Sequence, residues 1–334
     1  MSDTRTRPLV FGAELSPYSV KVRSYLRYKG IDHEWTERNQ SNMALYQQHA
    51  KLPLIPLVLM PDDTAFQDST PIIERFEAGH PEPSIHPDDP ALAFVSALVE
   101  EFGDEWGNKW MFHYRWWYEP DQRSAAERLS VAMAPEGASL EERAPIVDMI
   151  MGRMTKRTWF VGSSAQTKDA IEGSWKKGLD QLEAHLDGRP YLFGGRPAFA
   201  DFGLWGQVYN AWTDPTPKPM VEACPNVLGW VQRMLEPKSE GGFEGWDALA
   251  PTLEPFLADQ VGALFLPWSD ANAKCLEAGD EEFTVEFASG PWTQKPQKYH
   301  ARSLGKLRAR YADVADRSAL DPILEKSGCL AWLS

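Results

Sequence analysis

Residues 8–26 read PLVFGAELSPYSVKVRSYL, a sequence that predicts a strand, a loop and a helix in this order. The apolar run Leu9-Val10-Phe11 predicts a short buried strand. Ser16-Pro17 predicts a helix start, because serine caps free backbone N–H groups and proline fits the first helical turn. The apolar face of that helix is made of Tyr18, Val22, Tyr25 and Leu26. The Ser16 hydroxyl is therefore expected at a helix N-terminus, whose partial positive charge favours an anion. Taken alone, Ser16 is more simply a helix cap.

Composition and charge narrow the class of protein. The chain has 334 residues, is 43% hydrophobic and carries a formal charge of −14, which argues against a general binder of nucleic acids or anionic membranes. The N-terminus lacks the apolar core of a signal peptide, and no apolar run reaches the roughly 18 residues of a membrane span. Three scattered cysteines form no Cys-x-x-Cys pair or zinc spacing. We expect a cytoplasmic protein without a metal site.

The rest of the first 80 residues predicts a small α/β layer. Strands are expected near residues 32–37, from Pro56 and over 65–67, with a short helix at 40–49. A further helix is expected to begin at Asp68-Ser69. The order β-α-β-α-β-β-α is typical of an α/β layer with a mixed sheet.

Three short motifs in this region resemble those of the glutathione transferase superfamily, whose N-terminal domain has the thioredoxin fold. They are Ser16-Pro17-Tyr18-Ser19, Ile55-Pro56 and Asp68-Ser69. The first is similar to the Cys-Pro-Tyr-Cys of glutaredoxins and the Cys-Pro-Phe of omega-class transferases, with serine in place of the reactive cysteine. Downstream, residues 190–201 and 224–234 resemble two helix starts of the family's helical domain, with Ala198 replacing the usual Ser/Thr cap.

The resemblance implies a glutathione site and assigns its residues. Ser16 would donate a hydrogen bond to the glutathione thiolate, with Tyr18 and Ser19 as back-up donors. The backbone of Ile55, before a cis proline, would pair with the cysteinyl part. The distance to Asp68 favours Pro56 over Pro53 as that proline. The resemblance also implies that Asp68 contacts the ammonium of glutathione and that Ser69 contacts its γ-glutamyl carboxylate. Lys51 is a further implied glutathione-binding residue. The alternative for Asp68-Ser69 is a capping pair.

From residue 91 the pattern is helical and unusually aromatic. Side chains recur at steps of three and four, namely Phe94, Leu98, Phe102, Trp106, Trp110, His113 and Trp117. Such a stripe is more often packing or a dimer contact. A functional alternative is a wall for an apolar co-substrate, formed by Trp110, His113, Tyr114 and Trp117, with Arg115 as another polar member.

The last 95 or so residues lie beyond the length that the resemblance covers. They predict helices over 246–259 and 261–278, a hairpin over 283–294 and a basic helix over 297–311. Leu304, Leu307 and Tyr311 are expected to anchor that basic helix. Its Lys and Arg residues are interpreted as a solvated face that balances acidic neighbours, with an anion site as the alternative.

We therefore expect a thioredoxin-like glutathione-binding domain (1–85), an all-α domain of glutathione transferase type (91–237) and a mainly helical extension (238–334). The implied activity is transfer of glutathione to an apolar electrophile, as in detoxification, by a homodimer. A non-catalytic, metaxin-like interaction protein is the alternative. Thiol–disulfide exchange is a further one, but it needs a protein thiolate that Ser16 and Ser19 cannot supply.

Overall fold

The N-terminal part is a four-stranded mixed sheet with helices packed on it. The computed structural model describes residues 5–334. Its first elements are β1 (Leu9–Gly12), α1 (Pro17–Tyr28), β2 (Glu34–Glu37), α2 (Met43–His49), β3 (Leu57–Leu59), β4 (Ala65–Gln67) and α3 (Ser69–Gly79). The strand order is β2-β1-β3-β4, with β1 parallel to β2 and antiparallel to β3. The predicted thioredoxin-like order is confirmed.

Helices make up the middle of the chain. They are α4 (Pro90–Phe102), α5 (Asn108–Trp117), α6 (Glu119–Met133), α7 (Leu140–Met154), α8 (Lys168–His185), α9 (Phe199–Trp212), α10 (Lys218–Glu222) and α11 (Pro225–Arg233). A π-helical turn, Gly103–Gly107, joins α4 to α5, and a 3-10 segment, Thr155–Val161, follows α7. In place of a complete capping box at α9, the Asp201 carboxylate accepts the Ala198 N–H at 2.8 Å and the Leu192 N–H at 2.9 Å.

The C-terminal extension, residues 238–334, is mainly helical with one hairpin. Its elements are α12 (Trp246–Phe256), a π-helical segment (Leu257–Phe265), α13 (Leu266–Ala278), β5 (Phe283–Phe287), β6 (Gly290–Gln294), α14 (Lys298–Asp313), α15 (Leu320–Lys326) and α16 (Leu330–Leu333). Leu304, Leu307 and Tyr311 are buried, so the predicted anchoring of α14 is confirmed. Arg308 pairs with Asp270 at 2.8 Å and Arg310 with Glu74, which supports the interpretation of charges balanced by acidic neighbours.

The aromatic stripe of α4 and α5 packs against the extension inside one chain. Phe102 meets Phe256 and Phe265 edge to face, and Trp106 meets Trp268 and Trp292. The stripe therefore gives no support to a homodimer, because the surplus of aromatic surface that suggested one is covered by residues 246–294. The homodimer stays a prediction without this basis.

Two close contacts bring the sheet and the helical domain together around the start of α1. A Cβ atom at Gly206 of α9 would lie 2.6 Å from the Pro17 carbonyl oxygen, so only glycine allows this approach. Lys21 of α1 is fully buried, and its Nζ contacts Glu100 and, at 2.6 Å, Asp104. Within residues 5–334, no helix combines the length and apolarity needed to cross a bilayer.

Candidate functional site

Ser16 lies where the loop after β1 enters α1. Its Oγ accepts the Ser19 N–H at 3.2 Å, so the side chain caps the helix, and Pro17 occupies the first turn. A serine hydroxyl has one hydrogen to donate and two lone pairs. Because the cap uses only a lone pair, the Ser16 hydrogen remains available to an anion in front of the helix.

The loop that carries Ser16 is held by buried residues of the helical domain. Arg115 Nη1 donates to the Leu15 carbonyl oxygen at 2.8 Å, and Arg115 Nε donates to Asp214 at 2.7 Å. Glu14 pairs with Arg23 at 2.7 Å. Arg115 was considered as a wall of a co-substrate pocket. The structure instead places it as a positioning residue for the loop.

The segment before β3 has a fixed backbone. The Ile55–Pro56 peptide bond is cis, and the bond before Pro53 is not. The Gln67 amide donates to the Leu52 and Leu54 carbonyls at 2.8 and 2.9 Å, and its oxygen accepts the Lys51 N–H at 2.7 Å. Sequence reasoning missed this role of Gln67. The Lys51 side chain itself is exposed.

The start of α3 differs from an ordinary capped helix. Asp68 has φ 77° and ψ 130°, a backbone conformation uncommon for a residue with a Cβ, and its side chain makes no capping hydrogen bond. Ser69 is buried, and within residues 5–334 its Oγ has no hydrogen-bond partner. Local backbone outliers of this kind cluster at functional sites. Asp68 and Ser69 therefore do not form the simple capping pair that was the alternative interpretation.

A buried ion-pair cluster joins the starts of α1 and α3. Lys21 Nζ donates to Thr70 Oγ1 at 2.9 Å and to Asp104 at 2.6 Å. Burial, with the nearby charge of Glu100, raises the pKa of Asp104 to about 8 although Lys21 opposes this. The π-helical turn places Asp104 and Glu105 toward this point, and burial raises the pKa of Asp68 as well. Charges of both signs surround Asp68, since Lys21 and Lys306 lower its pKa whereas Glu105 raises it.

Helix α14 of the extension reaches the same point. Tyr299 Oη donates to both Asp68 carboxylate oxygens, at 3.3 and 3.4 Å. The neighbouring His300 pairs with Glu105 and packs edge to face on Trp268, 4.7 Å between ring centres. No local sequence signal pairs residue 299 with residue 68, so this contact was missed.

The two back-up donors lie in different surroundings. The Tyr18 hydroxyl donates to the Asp104 carbonyl oxygen at 2.9 Å, and burial raises the pKa of this phenol. That bond uses its only hydrogen, so Tyr18 does not fit the role of thiol donor. Ser19 is fully buried, and its Oγ has no partner among the residues that the structure describes.

The residues considered for a co-substrate wall belong mostly to the core. Trp110 Nε1 donates to Ser174 Oγ at 2.9 Å, and His113 bonds Ser163 at 2.7 Å and Glu172 at 3.1 Å. Tyr114 is buried, and Trp117 stacks on the His113 ring. This constellation packs α5 against α8, and we correct its interpretation from pocket wall to helix packing.

The remaining reactive groups and cavities lie away from Ser16. Burial raises the pKa of Cys224, Cys275 and Cys329, so none is an activated thiolate. A cavity of about 290 Å³ lies between the 3-10 segment and β6, and its lining includes Trp159 and Lys295. A second, of about 340 Å³, is lined by Arg189 and Arg233.

Family models match both of the regions that the motifs singled out. The model for the glutathione S-transferase N-terminal domain matches residues 10–84, and that for the C-terminal domain matches residues 165–233. The N-terminal match contains Ser16, Ile55-Pro56 and Asp68-Ser69, and the C-terminal match contains Asp201. Neither match reaches into residues 238–334.

Two curated proteins are similar over most of this chain. The Drosophila melanogaster protein "Failed axon connections" is 25% identical over 259 residues, which are 72% of this chain and 57% of that protein. The isoprene-epoxide–glutathione S-transferase of Rhodococcus sp. (strain AD45) is 22% identical over 233 residues, 66% of this chain and 92% of that enzyme. The chain thus spans little more than half the length of the Drosophila protein.

Solved structures resemble the chain in part. A glutathione S-transferase from Methylobacterium radiotolerans, in complex with glutathione sulfonate, is 22% identical with a TM-score of 0.43, covering 74% of this chain and 94% of that one. A glutathione S-transferase from Methylobacillus flagellatus with glutathione bound is 16% identical with a TM-score of 0.41, and the match covers 69% of this chain and 95% of that one.

Proposed function

We propose that this chain, which belongs to the glutathione transferase superfamily, binds glutathione between the starts of α1 and α3 and uses its thiolate on an apolar electrophile. The observation that carries the proposal is the start of α3, where Asp68 does not cap and the buried Ser69 hydroxyl has no partner among residues 5–334. Buried polar groups are normally paired, so an exception of this kind needs an explanation. A ligand that completes the site would provide one.

The γ-glutamyl end of glutathione has an ammonium and a carboxylate, which match this helix start. Asp68 offers a carboxylate to the ammonium, with which it can form charge-assisted hydrogen bonds. Ser69 and the first N–H groups of the 11-residue α3 suit the ligand carboxylate, because helix N-termini favour anions. The cysteinyl part would then follow the backbone at Ile55, as an extended peptide lies along a strand edge.

Ser16 would stabilise the thiolate and would not act as a nucleophile. A thiol with pKa near 8.5 is only a few per cent ionised at neutral pH. Lowering that pKa by about two units needs roughly 2.7 kcal/mol in favour of the anion. One hydroxyl donor at a helix N-terminus is a plausible source of that energy. Ser19 is the back-up donor.

In the proposed reaction the glutathione sulfur forms a bond to carbon of the electrophile, and the electron pair of the broken bond leaves with the departing group. The name of the Rhodococcus relative links that enzyme to an epoxide. An epoxide therefore belongs in a substrate panel for this chain, where the opened oxygen would take up a proton.

The test compares glutathione with cysteinylglycine, which lacks the γ-glutamyl group, by isothermal titration calorimetry. We expect millimolar or tighter binding of glutathione and at least about 150-fold weaker binding of the dipeptide, since the dipeptide loses the contacts of both the ammonium and the carboxylate, and the first alone contributes about 3 kcal/mol. Equal affinities would contradict the assignment of Asp68 and Ser69. No binding of glutathione at millimolar concentration would favour the non-catalytic interaction protein.

A homodimer remains part of the proposal because the family is commonly dimeric. Sedimentation equilibrium at micromolar concentration is expected to give twice the chain mass. A clean monomer would contradict it.

A further inference from the structure

The extension contributes the side chain of Tyr299 to the start of α3, and Tyr299 lies outside both family matches. Tyr299 is the second residue of α14, and its hydroxyl lies almost equally far from the two Asp68 oxygens, at 3.3 and 3.4 Å. An O–H···O bond is normally 2.5–3.0 Å, so this contact is loose. A carboxylate has about four lone-pair sites, and one hydroxyl leaves most of them unused. Asp68 therefore keeps the capacity to accept further hydrogen bonds.

Helix α14 is fixed by contacts other than the one to Asp68. Leu304 and Leu307 are buried, and Arg308 pairs with Asp270 at 2.8 Å. Tyr311 packs edge to face on Phe94. His300, next to Tyr299, is held between Glu105 and Trp268. The position of the Tyr299 backbone thus follows from the packing of the helix, and its ring, 43% exposed, lies where a ligand at Asp68 would meet it.

We propose that Tyr299 is a specificity-determining residue of the glutathione site, which covers the ammonium end so that a bare –NH₃⁺ is accepted and a bulkier alkylated ammonium is rejected. This inference rests on the proposed function. A bare ammonium makes three hydrogen bonds and can share Asp68 with the loosely held phenol. An N-alkylated ammonium keeps the positive charge but must displace the ring.

The probe that separates size from charge is N,N-dimethylglutathione, in which the nitrogen still carries a proton and a positive charge. Calorimetry measures its affinity and that of glutathione for the wild type, Tyr299→Ala, Tyr299→Phe and the control Arg302→Ala. Arg302 is an exposed residue of the same helix. Thermal unfolding of each variant checks the fold.

For the wild type and Arg302→Ala, we expect the dimethyl compound to bind about tenfold more weakly than glutathione, the scale on which pockets discriminate single methyl or methylene groups. Tyr299→Ala is expected to reduce that ratio to about two- to threefold. Tyr299→Phe keeps the ring, so it should keep the ratio while losing only the hydroxyl contact.

An unchanged ratio in Tyr299→Ala, with glutathione binding intact, would overturn this inference and leave the proposed function standing. Glutathione binding that is seen only in Tyr299→Ala would also overturn it, because Tyr299 would then block the site. Failure of glutathione to bind the wild type and every variant would contradict the proposed function itself.

Discussion

The chain begins two of its N-terminal helices in opposite ways. At α1 the Ser16 side chain turns back and accepts the Ser19 N–H, so the helix start is satisfied by its own residue. At α3 the Asp68 side chain makes no such bond and faces Tyr299, while Ser69 keeps an unpartnered buried hydroxyl within residues 5–334. The difference indicates that the start of α1 depends on the Ser16 side chain for stability, whereas the start of α3, which we call the open start, does not depend on that of Asp68.

A capped start and an open start respond differently to the same kind of mutation. Removing a cap costs stability, typically about 1 kcal/mol. Removing a buried polar group that has no partner costs little or even stabilises, because its desolvation is no longer uncompensated. Loss of ligand affinity without loss of stability is therefore the signature that we expect at α3.

The largest effect is expected for Asp68→Asn. The change keeps the shape and removes the negative charge that faces the ammonium, so glutathione affinity should fall about 150-fold, equivalent to about 3 kcal/mol. The free energy of unfolding should not decrease, since Asp68 does not cap α3. Calorimetry and chemical denaturation measure the two quantities.

Asp88→Asn is the matched control for that change, because Asp88 is an exposed carboxylate near the start of α4. Its affinity for glutathione should equal that of the wild type. If Asp68→Asn weakened folding and left binding unchanged, the contrast between the two helix starts would be wrong.

A smaller effect is expected for Ser69→Ala. Ser69→Ala removes one hydrogen bond to the ligand carboxylate, so glutathione should bind about tenfold more weakly. This factor corresponds to the lower end of the free energy of a hydrogen bond to a charged group. The melting temperature should stay the same or rise slightly. Cysteinylglycine serves as the control ligand, because it lacks the γ-glutamyl carboxylate and should bind wild type and Ser69→Ala alike.

Glutathione affinity should also depend on pH through the ionisation of Asp68 at the start of α3. The Ser16 hydroxyl at the start of α1 does not ionise in this pH range. Burial raises the pKa of Asp68 above its ordinary value of 3.8. Because the ammonium needs the ionised carboxylate, glutathione affinity should fall as the pH drops through this raised pKa. The folded chain binds the Asp68 proton more tightly than the unfolded chain, so this group's contribution to stability is lost as pH rises from about 3.8 through the folded pKa.

Calorimetry from pH 7 down to 4 follows the change in affinity. Asp68→Asn should lack the part of the pH dependence that belongs to residue 68. The same decline in the variant would assign the effect to another group.

The smallest effect is the stability of Ser16 variants. Ser16→Ala should lower the free energy of unfolding by about 1 kcal/mol, and Ser16→Gly by only a few tenths, since glycine is tolerated at a cap position. Denaturation in urea measures both. Equal stability of the two variants would show that the cap seen in the structure contributes little.

Local patterns were enough for the architecture, whereas the anchors of the candidate site came from the resemblance to a known family. Helix-start signals and hydrophobic periodicity predict the strand–loop–helix at residues 8–26. The pair Ile55-Pro56 was identified as a short motif that this family shares. Ser139-Leu140-Glu141-Glu142 has the Ser-x-x-Glu spacing of a capping box, and the structure has that capping box. Elements whose boundaries depend on neighbouring residues could therefore be predicted from the sequence.

Contacts between residues far apart in the sequence could not be predicted from such local patterns. Lys21 appeared as one polar residue on a helix, and its carboxylate partners are about 80 residues away. The π-helical turn at Gly103–Gly107 has no composition signal, and it fixes where Asp104 and Glu105 lie. The stripe of aromatic residues was correct as a pattern, but only the fold shows that the extension covers it.

The proposed function requires Ser16 to stabilise the thiolate of bound glutathione. The most direct measurement is the thiolate absorbance of bound glutathione against pH for the wild type, Ser16→Ala and Ser16→Gly. We expect the bound thiol to have a pKa of about 6.5 in the wild type and a pKa at least one unit higher in both variants, because each variant loses one charge-assisted hydrogen bond. Superimposable titration curves for all three proteins would contradict it and direct attention to Ser19.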